Sequence, residues 1–232
     1  MRVGLLMVGH VADTAQHIAG DYPELFGSLL ANHNIELVRY DLDADRFPNS
    51  TDECDAWLSS PSRCSAYDSH PWIASTEDLL RELIARERPY VGICFGHQLL
   101  AQALGGAVTR SPNGWEVGVH EYEIVERTPW MEPFQPSLAL IASHEDQVAQ
   151  LPSSARGFAQ ASGCPIAGML VGDRAWTLQA HPEFTAELAD HLLAARIDLI
   201  GASKVSRARA SLDRRLDRAV VAEWIAEFLR RA

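Results

Sequence analysis

The feature that most constrains the fold is an alternation between short apolar runs and longer helical patterns over the first 104 residues. Short runs rich in valine, isoleucine and leucine are typical of buried strands, whereas apolar residues three or four apart are typical of helices that cover a sheet. Strands are predicted at residues 3–8, 35–40, 56–58 and 90–93, and helices at residues 21–32, 71–87 and 96–104. This order predicts an α/β fold in which crossover helices join the strands.

The pattern changes after residue 104. Five shorter and mostly antiparallel strands are predicted there, at residues 117–125, 138–142, 157–161, 166–171 and 175–178. Two helices follow, at residues 186–199 and 219–229, and the apolar stripe of the second is better explained by core packing than by a partner surface. We find no repeat and no obvious linker, and we predict one domain over residues 1–232.

Composition excludes several classes of function. Twenty Lys and Arg residues against thirty-one Asp and Glu residues give a net charge of −11, which disfavours unaided nucleic-acid binding. The basic stretch at residues 207–218 is predicted to be a solvated face or a loop. No apolar run approaches the roughly 20 residues of a membrane span, and the apolar N-terminus lacks a signal-peptide cleavage site. We therefore expect a cytoplasmic protein that does not act at a membrane.

The four cysteines form no CxxC pair and no cluster with zinc spacing, so we predict reduced thiols and no metal. Cys94 differs from the other three cysteines in its sequence neighbours, because Gly92 and Gly96 flank it where a predicted strand passes into a helix. This G-x-C-x-G spacing matches the nucleophile elbow, a tight turn that needs glycines at the flanks. A helix N-terminus favours the thiolate form, and the amide of Phe95 would face a developing oxyanion. A lone cysteine is more often a small buried hydrophobe, but the glycine frame favours the nucleophile.

A base and its orienting acid follow the last predicted strand. His181 and Glu183 are two residues apart, so in extended chain they face the same side, and the rigid Pro182 fixes their spacing. Histidine can take the thiol proton and return it to a leaving amine, while glutamate holds the imidazole tautomer. His-x-Glu alone is weak evidence. Together with the elbow it predicts a cysteine triad.

These motifs belong to a longer series. The segments 92–106 and 179–184 resemble the motifs GxCFGHQLLAxALGG and QxHPEF of class I glutamine amidotransferases. Three further segments resemble the family in its order: Tyr67-Asp68 with Pro71-Trp72-Ile73, residues 113–118, and residues 143–148 with Leu151-Pro152. The chain is most similar to the stand-alone branch related to the amidotransferase domain of GMP synthase, which includes γ-glutamyl peptidases.

The resemblance implies a flavodoxin-like fold, with an open, mainly parallel central sheet flanked by helices and a small antiparallel sheet. It implies that Cys94 is the nucleophile, His181 the base and Glu183 the orienting acid, and that no cofactor is needed. It also implies that Gln98 holds the bound glutamyl group. The segment Ser143-His144-Glu145 would meet the α-amino and α-carboxylate end of the substrate, although a simple polar turn remains an alternative for it.

One segment departs from the family. The family's oxyanion loop usually reads T-G-S or G-G-P, whereas this chain has Pro61 where a glycine would align. Proline has no N–H to donate, so the second oxyanion donor is either the amide of Ser62 or absent until something binds. Losing one donor costs about 100- to 1000-fold in rate. Cys64, close to this loop, is predicted to be a small buried thiol.

The resemblance implies hydrolysis of the γ-glutamyl amide bond of glutamine or a γ-glutamyl conjugate through a Cys94 thioester, releasing glutamate and ammonia or an amine. The sequence shows no Gly-rich phosphate loop or metal cluster that would serve an acceptor reaction. One alternative is therefore a glutaminase subunit that is active only with a separate synthetase or ammonia acceptor. Others are a non-enzymatic regulatory relative, which the intact triad disfavours, and the stress-protein or deglycase type, which the His-Pro-Glu segment disfavours.

Overall fold

The computed structural model describes residues 1–231, which form eleven strands and eight α-helices. The strands are β1 (Arg2–Met7), β2 (Glu36–Asp41), β3 (Ala56–Ser59), β4 (Tyr90–Ile93), β5 (Ala107–Arg110), β6 (Glu116–Ile124), β7 (Ser137–His144), β8 (Asp146–Gln150), β9 (Ala155–Ala161), β10 (Cys164–Val171) and β11 (Ala175–Leu178). The helices are α1 (Asp13–Ala19), α2 (Tyr22–Leu29), α3 (Pro71–Ala85), α4 (Phe95–Ala103), α5 (Ala186–Ala195), α6 (Ile197–Ile200), α7 (Ala202–Ser211) and α8 (Arg218–Arg231).

Nine strands form one central sheet in the order β2-β1-β3-β4-β11-β10-β9-β6-β7, and β5 pairs with β8 in a separate antiparallel ribbon. The first five strands of that order are parallel, and their carboxyl ends lie at one edge. The remaining pairs are antiparallel. The α/β fold with a large helix-flanked sheet and a small antiparallel sheet is therefore confirmed. The central sheet is mixed, with its parallel half carrying the candidate site.

Two hydrophobic clusters cover the two faces of the sheet. Alternate residues of β1 enter different clusters, because successive side chains of a strand point to opposite faces. Val3, Leu5 and Met7 pack with α1, α2, α5, α7 and α8, whereas Leu6 packs with α3 and α4. Within the described residues no helix is both long and apolar enough to cross a bilayer.

The structure differs from the sequence-based prediction in several elements. Strand β11 was expected among mostly antiparallel strands but pairs in parallel with β4. The predicted helix 186–199 is interrupted at Arg196, which ends α5 and precedes α6. Helices α1 and α7 and the ribbon β5-β8 were not predicted. Only Val205 and Ala208 of α7 are buried, so this helix shows little of the apolar periodicity on which the prediction depends.

Candidate active site

The candidate site lies where four parallel strands end. Gly9 follows β1, the segment 60–62 follows β3, Cys94 follows β4 and His181 follows β11. Leu178 of β11 pairs with Ile93 of β4, so the segments that carry the histidine and the cysteine leave the sheet side by side. In open α/β sheets the crevice beyond the carboxyl ends of the strands is the usual ligand site.

Cys94 occupies the tight turn that the sequence predicts. Its φ of +51° lies in the left-handed region, which costs a non-glycine residue on the order of 1–3 kcal/mol. The glycines are required sterically. A Cβ on Gly96 would lie 1.8 Å from Ser59 Oγ, and one on Gly92 would lie 2.8 Å from the Gly96 carbonyl carbon. The turn therefore places the thiol at the start of α4 only with glycine at both positions.

His181 and Glu183 form a buried pair. His181 Nδ1 lies 2.7 Å from Glu183 Oε1, and the two residues are 2% and 0% exposed. The ring of Phe184 stacks on the imidazole with 4.2 Å between centroids. Arg218 holds the same segment by donating to the carbonyl oxygens of Pro182 (2.7 Å) and Glu183 (3.0 Å). The other arginines of the predicted solvated stretch 207–218 are exposed, but Arg218 is a correction to that prediction, since it is partly buried and braces the segment that carries the base.

The charge state of His181 is set by its neighbours. Burial alone would lower its pKa, but the charges of Cys94 and Glu183 outweigh burial and raise the pKa above its ordinary value. Nε2 is buried and forms no hydrogen bond with acceptable geometry among residues 1–231, so we attribute the coupling to Cys94 chiefly to charge. Such bonds are often long until substrate is present. The site therefore favours the imidazolium form of His181.

Two backbone amides are free to serve an oxyanion. Among residues 1–231, the amides of Phe95 and Ser62 donate to no acceptor, whereas the amide of Ser60 donates to the Leu6 carbonyl at 3.0 Å. Gly9 lies close to the Ser62 backbone, because a Cβ on Gly9 would be 2.9 Å from Ser62 Cα. Pro61 has no N–H, so Ser62 is the nearest candidate donor in this loop.

Gln98 belongs to a buried chain of amides that reaches the nucleophile. Gln98 Nε2 donates to the Asp146 carbonyl (2.8 Å) and to Gln179 Oε1 (3.1 Å), and Gln179 Nε2 donates to Cys94 Sγ (3.5 Å). The neighbouring His97 is structural. Its ring contacts Thr177 Oγ1 and the Ile166 carbonyl, and burial lowers its pKa to about 4. The role of Gln179 was not predicted from the sequence.

The segment 143–145 reaches the same cavity, although Ser143 and His144 end β7 instead of lying in a loop. His144 is buried, and its Nδ1 contacts the Asp146 carbonyl at 3.0 Å. Burial, with a smaller contribution from the charge of His181, lowers the pKa of His144 to about 3, so this imidazole is neutral. Glu145 lies 3.8 Å from the Arg110 guanidinium.

These groups line a cavity of about 350 Å³ that contains Cys94, His181, Gln98 and Ser62. The predicted residues His144, Ser143 and Glu145 also line it, whereas Glu183 and Phe95 do not. The sequence did not assign a role to several other lining residues: Tyr22, Arg63, Arg110, Trp115, Phe184, Arg196 and Leu199. Most of them come from segments far apart in the chain, and no single motif contains them all.

Tyr22, which lines this cavity, is buried, and burial together with the charges of Glu183 and Cys94 raises its pKa. It therefore stays protonated at neutral pH. In the segment between β3 and α3, Cys64, Asp68 and His70 have potential metal-ligand atoms within 4.8 Å of one another, and only Cys64 of the three lines the cavity. Cys64 is partly exposed and lines the cavity, in contrast to the buried thiol that was predicted.

Comparison with known proteins defines the class. The family glutamine amidotransferase class-I matches residues 27–197, and the chain belongs to this family. Gamma-glutamyl peptidase 3 of Arabidopsis thaliana is 27% identical over 177 residues, covering 73% of this chain and 71% of the relative. The glutamine-hydrolyzing GMP synthase of Aeropyrum pernix is 32% identical over 141 residues, covering 59% of this chain but 27% of that enzyme. A glutamine amidotransferase structure from Thermotoga maritima superposes with a TM-score of 0.77 at 22% identity, covering 99% of this chain and 96% of the other, and it supports the fold.

Proposed function

We propose that this protein hydrolyses the γ-glutamyl amide bond of glutamine or a γ-glutamyl conjugate through a thioester on Cys94. The observation that carries the proposal is the meeting, in one cavity, of a strained elbow cysteine with a buried His181–Glu183 pair. The names of the relatives, which act on γ-glutamyl compounds or hydrolyse glutamine, support the same acyl group.

The geometry supports the following steps. The Cys94 sulfur attacks the γ-carbonyl carbon, and the free amides of Phe95 and Ser62 stabilise the oxyanion. The C–N bond breaks as His181 gives its proton to the leaving amine, which departs as ammonia or a free amine. Water then gives a proton to His181 and attacks the thioester. The C–S bond then breaks, glutamate leaves, and the Cys94–His181 pair regains its starting protonation.

The glutamyl group has candidate partners among the other residues that line the cavity with Cys94. Gln98 commits both amide hydrogens to protein acceptors, and its Oε1 accepts no hydrogen bond from residues 1–231. This oxygen can accept from the substrate ammonium. The Glu145 carboxylate can attract the same charge, and the Arg110 guanidinium the substrate carboxylate.

The test is glutamate release by the purified protein from glutamine, glutathione and γ-glutamyl amines, beside Cys94→Ala and His181→Gln variants. Turnover that both variants lose supports the proposal. A folded protein that forms no covalent adduct at Cys94 with a glutamine-like electrophile contradicts it. Adduct formation without turnover, followed by activity when a synthetase is added, would instead identify the partner-dependent glutaminase.

A further inference from the structure

Arg196 places a positive charge in the cavity that no carboxylate neutralises. Its Nη1 donates to Ser143 Oγ at 3.2 Å, and its guanidinium lies 5.8 Å from the centroid of the Trp115 ring. No Asp or Glu oxygen among residues 1–231 lies within 4.0 Å of it, although burial already lowers its pKa. Arg110, which also lines the cavity, does have such a partner in Glu145. A partly buried cation without an anion is unfavourable unless a ligand supplies one.

A second unpaired cation faces the same space. Arg63 is exposed in the segment after β3, forms no ion pair among residues 1–231, and lines the cavity together with Arg196. After burial, the charge of Arg63 is the next effect that lowers the pKa of Arg196, so the two guanidinium groups repel each other. An anion between them would remove both the repulsion and the desolvation cost.

The position of Arg196 favours the leaving group as the source of that anion. The amine that departs takes its proton from His181, so it must lie on the histidine side of Cys94. Phe184 stacks on His181 and shares a wall with Arg196, and α5 connects the two residues. Ser143, which accepts from Arg196, lies two residues beyond Ile141, whose carbonyl accepts from the His181 amide. Arg196 is thus connected to the segment that carries His181 both through α5 and through β7.

Resting on the proposed γ-glutamyl hydrolysis, we propose that Arg196 and Arg63 bind a carboxylate on the leaving amine. The preferred substrates are then γ-glutamyl amino acids and peptides, and glutamine, whose leaving group is ammonia, is a poor one. The reaction balances as before: the amide nitrogen takes the His181 proton and leaves as an amino acid, and water releases glutamate from the thioester.

The experiment compares γ-glutamyl-alanine with γ-glutamyl-ethylamide, which differ only by the carboxylate on the leaving group. We expect the wild-type protein to prefer γ-glutamyl-alanine by about tenfold or more in kcat/KM. Arg196→Met should raise KM for γ-glutamyl-alanine by about tenfold and leave kcat/KM for the ethylamide nearly unchanged. Arg63→Met should have a smaller effect in the same direction. Arg207→Met, an exposed arginine whose one side-chain hydrogen bond is to Ser203, is the control and should match the wild type.

The outcomes separate the two proposals. If neither compound nor glutamine releases glutamate, the proposed function fails. If both compounds are hydrolysed equally by the wild type, or Arg196→Met slows both equally, the protein does not bind the leaving-group carboxylate through Arg196 and this inference is wrong. Should Arg196→Met unfold, which a melting curve reveals, the exposed Arg63→Met decides. If Arg63→Met then kept the wild-type preference for γ-glutamyl-alanine over the ethylamide, the proposed carboxylate site of Arg196 and Arg63 would be wrong.

Discussion

Gln179 donates a hydrogen bond to the sulfur of Cys94, with 3.5 Å between Nε2 and Sγ. The contact follows from the register of two parallel strands, because Leu178 and Ile93 are paired and the next residue of each strand leaves the sheet together. Gln98 orients the Gln179 amide by donating to its Oε1, which leaves the Nε2 hydrogens for the sulfur. The nucleophile is thus held from the β11 side as well as by its own helix.

We predict that Gln179→Leu slows alkylation of Cys94 at neutral pH by about tenfold. A hydrogen bond to a charged group contributes about 1.5–3 kcal/mol, and this one stabilises the thiolate more than the thiol. The measurement is the rate of iodoacetamide labelling of Cys94 at neutral pH. Gln102→Leu, a change on the same helix as Gln98 but with contacts to Ala66 and Glu77, is the control. Equal rates in both variants would show that the Gln179 contact has no influence on the thiolate.

The ionisation of His181 should depend on the cysteine. Burial lowers the pKa of His181, but the charges of Cys94 and Glu183 raise it by more than burial lowers it. The imidazolium therefore persists above the ordinary pKa of histidine and is lost as pH rises through the raised value. In Cys94→Ala the first of these charges is removed, and the pKa of His181 should fall. We would follow the ring nitrogens by NMR and assign them with a His181→Gln variant. The same titration in both proteins would contradict the ion pair.

The sequence predicts the elbow and the histidine–glutamate pair because each lies within a few residues of a strand end, where local patterns fix the geometry. It also predicts α/β order from apolar periodicity. The carboxylate-binding candidate Arg196 could not be found in this way, because it ends a helix and meets Trp115 only through tertiary packing. The same holds for Tyr22, which lies more than seventy residues from the nucleophile in sequence.

Gly9 should matter for the oxyanion loop and for little else. A Cβ on Gly9 would lie 2.9 Å from Ser62 Cα, closer than real side chains approach, so Gly9→Ala should displace the Ser62 amide. We expect kcat to fall by about 100-fold, the lower end of the effect of one lost oxyanion donor, with the Cys94 alkylation rate unchanged.

The control for Gly9→Ala is Gly27→Ala on α2, where nothing lies within 4 Å of an added Cβ. That change should leave kcat unaltered and stabilise the helix by about 1 kcal/mol. A Gly9→Ala protein with full activity would mean that the Ser62 amide is not an oxyanion donor.

Arg218 should act as a positioning residue through the backbone that carries the base. It donates to the carbonyl oxygens of Pro182 and Glu183. Arg218 is the first residue of α8, and its side chain does not line the cavity. We predict that Arg218→Met lowers kcat about tenfold with little change in KM, and lowers the free energy of unfolding by about 2 kcal/mol. Arg215→Met, three residues earlier and exposed, should change neither quantity. Urea denaturation and steady-state kinetics measure both. Arg218 positions His181 only through the backbone of the segment 182–183. Arg218→Lys, which retains one donor nitrogen, should therefore recover part of kcat. An Arg218→Met protein that is less stable but has full kcat would show that Arg218 has a structural role only.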